Sequence, residues 1–302
     1  MAGTIGRFRS DEVRGRFYDL YDRAMEELWP VPSEELDVDT RFGTTRVHRS
    51  GQGAGCPLVL VHGHAGTSVG WAPLIGRLTR DHVVLTVDVI GALGRSVQTR
   101  PIEGTADLAV WFRELVDGLG VQRAHVIGFS EGGFVAFHAA MGDADRIASL
   151  VAIDSGGTIE RVKLRFLGSM AWAGLRAAVG VPDALKDFAQ RMTPGVEFPE
   201  LWWEMVTVGA RGFRHALPMP RKASDDDLRR LTPPTLLYMA GNSEVYDAHR
   251  TAERAEALIP DVEIMIVQDA QHGLPFTHAD RVWPDVLDFV DRHEPAEPAE
   301  AT

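Results

Sequence analysis

Ala124-His125-Val126-Ile127-Gly128-Phe129-Ser130-Glu131-Gly132-Gly133-Phe134-Val135-Ala136-Phe137 runs from an apolar strand pattern, through Gly-x-Ser-x-Gly, into a small and apolar helix start. That order suits a serine held on a sharp strand-to-helix turn, the nucleophile elbow. The backbone of such a serine is strained, so its neighbours two residues to either side must be nearly free of side chain. Gly128 and Gly132 fill those places, and Gly133 lets the helix approach the strand. The turn lifts the Ser130 hydroxyl clear of the sheet and leaves the first N–H groups of the helix unpaired.

Working outward, Pro57-Leu58-Val59-Leu60-Val61 upstream is a continuous apolar run, the mark of a strand buried on both faces. It ends in His62-Gly63-His64-Ala65-Gly66. Further buried strands are expected at residues 82–88 and 146–154, with helices over 71–79 and 104–119. Downstream of a long interruption the alternation resumes with a strand at 235–240, a helix at 248–258, a strand at 262–267 and a helix at 278–293. Regular strand–helix alternation implies a mostly parallel central sheet with helices on both faces. The pattern divides the chain into a helical extension at 1–34, an α/β core at 35–157 and 232–293, a helical cap at 158–231 with no strand of its own, and a disordered, Pro/Glu-rich tail at 294–302. Within the extension, apolar residues at 17, 20, 21, 24, 25 and 28 have helical spacing, and 35–42 with 44–49 reads as a hairpin around Gly43.

The chain has 302 residues and a net charge of −12, with no clustered Lys/Arg face, which argues against nucleic acid as a partner. No apolar run is long enough for a membrane span or a signal peptide, so no membrane partner and a cytoplasmic location are expected. The single cysteine, Cys56, excludes an internal disulfide and reads as a small buried hydrophobe. Gly51-Gln-Gly-Ala-Gly55 leads into a strand rather than a helix and is a turn, not a phosphate cradle. Asp225-Asp-Asp227 precedes Leu-Arg-Arg-Leu and reads as helix capping. His62-x-His64 has the look of a metal pair, but no further ligand follows at short spacing, so neither metal nor cofactor is expected.

A base is offered by His272, in the loop Gln268-Asp-Ala-Gln-His-Gly273 after the last strand. Carboxylates stand at the ends of strands in Asp154, Glu244 and Asp247. Glu244, three residues past Gly241, is the expected partner of His272. Asp247 directly precedes a helix and suits its N-cap, and Asp154 follows the strand after the nucleophile.

From residue 35 onward the chain resembles the α/β-hydrolase superfamily, and within it the bacterial carboxylesterase-type branch. The resemblance is carried by Trp29-Pro-Val-Pro32, Arg41-Phe-Gly-Thr, Val61-His-Gly, Asp88-Val-Ile-Gly, Gly128-Phe-Ser-Glu-Gly, Gly241-Asn-Ser-Glu-Val-Tyr-Asp and Ala270-Gln-His-Gly. It implies an α/β-hydrolase fold with an inserted cap, and a triad in the chain order Ser130, acid, His272. It also implies an oxyanion hole made by the backbone N–H groups of His64 and Glu131 and a small-molecule ester-type substrate. A homodimer is compatible with it. Two departures stand out. Glu131 puts an acid after the nucleophile, which is expected to disfavour anionic substrates or raise the pKa of His272. Gln271 replaces a glycine before the histidine. The Trp, Phe and Met content of 158–231 points to an apolar pocket. The same fold and triad also serve cofactor-free lyases, C–C hydrolases and cyclases, and the fold hosts non-catalytic ligand receptors.

Overall fold

The structure is a computed structural model that describes residues 3–179, 181 and 183–296. Short strand β1 (Arg7–Phe8) leads into helix α1 (Asp11–Leu28). Ser10 starts α1 by accepting from the Val13 N–H, with Asp11 and Glu12 in the first turn, where acids suit the helix dipole. Its buried face is Phe17, Leu20, Tyr21 and Ala24, as the spacing predicts.

The core follows. Hairpin strands β2 (Ser33–Thr40) and β3 (Gly43–Ser50) precede β4 (Leu58–Val61), a short 3₁₀ turn at Ser68–Trp71, α2 (Ala72–Leu78) and β5 (Val84–Val87). Next come β6 (Val97–Gln98), α3 (Thr105–Gly118), β7 (Ala124–Phe129), α4 (Glu131–Gly142) and β8 (Ile147–Ile153). The intervening segment holds α5 (Leu164–Ala178), α6 (Ala184–Met192), α7 (Glu200–Gly212), β9 (Phe213–Arg214) and α8 (Asp225–Arg229). The core resumes with β10 (Thr235–Ala240), α9 (Ala248–Leu258), β11 (Val262–Val267), α10 (Leu274–Thr277) and α11 (Ala279–Arg292).

The main sheet has the order β11-β10-β8-β7-β4-β5-β3-β2, with β6 on the flank of β3. From β11 through β5 the strands are parallel, and β3 pairs antiparallel with β5, β2 and β6. Every residue of β4, β5, β8 and β10 is buried, as expected of a parallel sheet covered on both sides. On one face Trp111, Phe112, Phe134, Phe137 and Ala255 of α3, α4 and α9 build the core; on the other, Ile75, Trp283 and Phe289 of α2 and α11 do so. The parallel strands bring their carboxyl ends to one edge, where open α/β sheets place ligands.

Three expectations are corrected. The segment 158–231 does contain a strand: β9 pairs antiparallel with β1, matching Arg7 with Arg214 and Phe8 with Phe213. Two-residue strands carry no period for a sequence pattern to reveal. Glu294 is not part of a loose tail, since its carboxylate accepts from the Cys56 N–H at 2.8 Å and lies 3.0 Å from His125 Nε2; residues 297–302 lie outside the described residues. Helix α8 is capped by Ser224, which accepts from Asp227 N–H, while Asp225–Asp227 occupy its first turn. Among the described residues no helix is long and apolar enough to cross a membrane.

Candidate active site

Ser130 sits between β7 and α4 with φ 54° and ψ −116°, a strained conformation for a residue with a side chain. The flanking glycines make the turn geometrically feasible. A Cβ at Gly132 would fall 2.1 Å from the Val61 carbonyl oxygen and 2.6 Å from that of His62; one at Gly128 would meet the Gly132 carbonyl oxygen at 2.4 Å. At Gly133 it would meet Ser155 Cβ at 2.5 Å. Because the atoms opposing Gly132 are backbone of β4, Gly132→Ala is expected to destabilise the fold by about 1–3 kcal/mol or more. Urea denaturation checks this; a midpoint equal to that of the native chain would show that the elbow tolerates the methyl group.

His272 lies in the loop after β11, buried, with Nε2 3.0 Å from Ser130 Oγ. Its ring stands 5.3 Å from that of Phe129. Burial lowers the His272 pKa and the Asp154 charge opposes that shift, leaving it below its ordinary value. Its Nδ1 is buried without a hydrogen-bond partner. The expected influence of Glu131 on His272 is absent from these causes, and the shift runs downward, not upward.

The three carboxylates have separate surroundings. Asp154, fully buried at the end of β8 with φ 50°, accepts four hydrogen bonds. Its Oδ1 receives Ala240 N–H at 2.9 Å and the Tyr246 hydroxyl at 2.8 Å; its Oδ2 receives Gly273 N–H at 2.8 Å and Leu274 N–H at 2.9 Å. It therefore ties the His272 loop to the ends of β8 and β10. Asp247 caps α9 by accepting from Arg250 N–H. Glu244 is exposed and, since Nδ1 of His272 has no partner, makes no bond to the base. The structure thus brings Ser130, His272 and Asp154 into one cluster and leaves Glu244 and Asp247 outside it. A signal for Asp154 was present: an acid directly after a strand that is apolar but for Ser149 must be buried with hydrogen bonds or turned out to water.

The loop after β4 presses on the nucleophile: a Cβ on Gly63 would come within 3.2 Å of Ser130 Cβ. His62 turns inward, its Nδ1 2.9 Å from its neighbour's carbonyl oxygen and its Nε2 accepting from Val89 N–H. His64 turns the other way and puts Nδ1 3.2 Å from a Glu131 carboxylate oxygen. His215, from the segment after β9, places Nε2 3.2 Å from the other oxygen of Glu131. Sequence reasoning missed His215, which no local motif distinguishes. Burial works to raise the Glu131 pKa, but His215 and His64 outweigh it and hold the carboxyl well below the usual range. Burial pulls His64 down while Glu131 pulls it further up, for a net rise. The His64 side chain keeps 48% of its surface in solvent, which weakens that pairing.

Above His272 an aromatic wall leads into the cap. Phe129 meets Phe276 at 5.7 Å between ring centroids, Phe276 meets Phe198 at 5.7 Å, and Phe198 stacks on Trp202 at 4.3 Å. The backbone N–H of Glu131 opens α4, and neither it nor that of His64 has a backbone acceptor among the described residues.

A family model described as the alpha/beta hydrolase fold matches residues 57–279. Among curated proteins, the chain is 28% identical over 293 residues to carboxylesterase YbfK of Bacillus subtilis, covering 94% of this chain and 96% of that one. It is likewise 28% identical to the uncharacterized carboxylesterase nap of the same organism, covering 91% and 92%. The crystal structure of naproxen esterase (carboxylesterase NP) from Bacillus subtilis superposes with a TM-score of 0.84 at 27% identity, covering 93% of this chain and 98% of that one. With an elbow serine in contact with a buried histidine at the carboxyl edge of such a sheet, the chain belongs to the α/β-hydrolase family.

Proposed function

We propose that the protein hydrolyses carboxylic esters, lactones or thioesters of small apolar molecules through Ser130, His272 and Asp154. The observation that carries the reading is the 3.0 Å contact between His272 Nε2 and Ser130 Oγ on a strained elbow. His272 takes the Ser130 proton as Oγ attacks the carbonyl carbon. The tetrahedral oxyanion receives hydrogen bonds from the N–H groups of Glu131 and His64. The intermediate collapses, the alcohol or thiol leaves with the proton from His272, and an acyl group remains on Oγ. His272 then deprotonates water, which releases the acid and restores the serine. A lowered pKa suits this role, because the ring must be neutral to start the cycle.

Asp154 replaces Glu244 as the acid in this reading. Its charge is the one that acts on His272, and its bonds to Gly273 and Leu274 fix the loop that aims the ring. It acts through His272 as a positioning residue that also stabilises the imidazolium.

The aromatic wall supports an apolar acyl or alcohol part. Each methylene buried there contributes about 0.8 kcal/mol, roughly fourfold in kcat/KM. A series of 4-nitrophenyl esters of increasing acyl length is expected to rise by up to that factor per carbon until the pocket is filled. Best turnover on short, charged acyl groups would contradict the reading.

A further inference from the structure

Three donor groups from three distant parts of the chain meet beside the nucleophile, and the ester mechanism uses none of their side chains. His64 comes from the loop after β4, Glu131 from the first turn of α4, and His215 from the segment that follows β9 in the cap. One donor atom from each lies within 4.8 Å of the others, and the His64 and His215 rings stand edge to face with centroids 4.7 Å apart. Both imidazole-to-carboxylate separations are 3.2 Å.

We propose that His64, Glu131 and His215 form a binding site for a divalent transition-metal ion of the zinc type, and that its occupancy lowers turnover at Ser130. The donor set is two imidazoles and one carboxylate, which zinc accepts and which leaves a fourth position open. A tetrahedral ion with bonds of about 2.0–2.1 Å spaces its ligands about 3.3 Å apart, close to both observed separations. Closing the remaining His–His side requires a rotation of His64, whose side chain keeps 48% of its surface in solvent.

The carboxylate is already largely withdrawn from water, with 11% of its side-chain surface exposed, so binding a cation there requires little further desolvation. A second observation points the same way. His215 Nε2 is buried and has no hydrogen-bond partner besides the Glu131 carboxylate 3.2 Å away. A buried nitrogen beside an anion is well placed to take a metal. Glu131 and His64 also carry the N–H groups assigned to the oxyanion, so an ion joining them to His215 would pin the cap across the reacting carbonyl's place.

The test is a calorimetric titration of Zn2+ into the full chain after treatment with EDTA and removal of the chelator. One saturating site is expected in the native protein. His215→Ala and Glu131→Gln should each weaken it by at least tenfold, since even outer partners of metal ligands contribute 10–100-fold. His249→Ala, an exposed histidine outside the cluster, should leave it unchanged. Zn2+ should raise the melting temperature of the native chain but not of His215→Ala, which separates lost binding from a misfolded variant. His215 stands outside the ester machinery, so His215→Ala should keep its basal turnover and need at least tenfold more Zn2+ for half inhibition. No saturable binding, or an affinity and inhibition midpoint unchanged in His215→Ala, would overturn the proposal. The titration does not depend on turnover, so its result stands apart from the ester assignment.

Discussion

Ser130→Ala is expected to lower kcat on a short activated ester by roughly 10⁶ and to abolish labelling by a fluorophosphonate probe. The magnitude is that seen when the nucleophile of a serine protease triad is removed, and it corresponds to about 8 kcal/mol of barrier. Alanine keeps the Cβ, so the strain at φ 54° is the same in both proteins and the fold has no new reason to fail. The loss therefore reports chemistry. Active-site labelling followed by mass analysis of the modified peptide checks it; labelling or turnover that survives the substitution would place the nucleophile elsewhere.

The second large effect is expected at Asp154. Asp154→Asn should lower kcat by up to about 10⁴, the loss when a serine-protease triad aspartate becomes an amide, because it removes the charge that acts on His272 and disturbs the bonds to Gly273 and Leu274 that hold its loop. That is on the order of 5 kcal/mol. The substitution has a structural consequence too. An asparagine turns an amide NH₂ toward two of the four donors that Asp154 now satisfies, so stability should also fall. Normalising rates to the fraction of serine that the probe can label removes the unfolded share from the comparison.

The pH profile separates charge from scaffolding. In the native enzyme kcat/KM should fall as pH drops through the His272 pKa, below the ordinary 6.5, because burial disfavours the imidazolium. Asp154 opposes that shift, so its amide variant should move the acidic limb to still lower pH. A purely structural role would lower the rate and leave the limb in place. Glu244→Gln, at an exposed position, should stay within about tenfold of the native rate. Collapse of Glu244→Gln with Asp154→Asn nearly intact would return the acid to the loop after β10.

How much of this was legible in the sequence depended on whether the determining forces are local. The strands Thr235–Ala240 and Val262–Val267 and the helix Ala248–Leu258 lie where the reading of residues put them. Two short runs rich in apolar and β-branched residues, broken only by Glu263, and an aspartate at the cap position are enough to fix them. The meeting of Ser130 and His272 was also readable, since each stands within a short glycine-flanked motif at the carboxyl edge of the sheet. Which of Asp154, Glu244 and Asp247 lies buried beside the His272 loop was not, because all three follow a strand at the same edge. What decides is which side chain turns inward, and that depends on N–H groups of Gly273 and Leu274, over a hundred residues away from Asp154. His215 was invisible for the same reason: its neighbours Glu131 and His64 reach it only through the packing of the cap.

The pairing of β1 with β9 bears on how a substrate gets in. That pairing and the packing of Phe17, Leu20 and Tyr21 of α1 against Met205 and Val206 of α7 moor one flank of the cap to the start of the chain. A gate cannot swing on a side that is sewn down. Along α5 the cap presents Leu164, Trp172 and Leu175 to water, with Val179 exposed just past its end. Exposed apolar surface of this kind is where a sparingly soluble molecule first adheres.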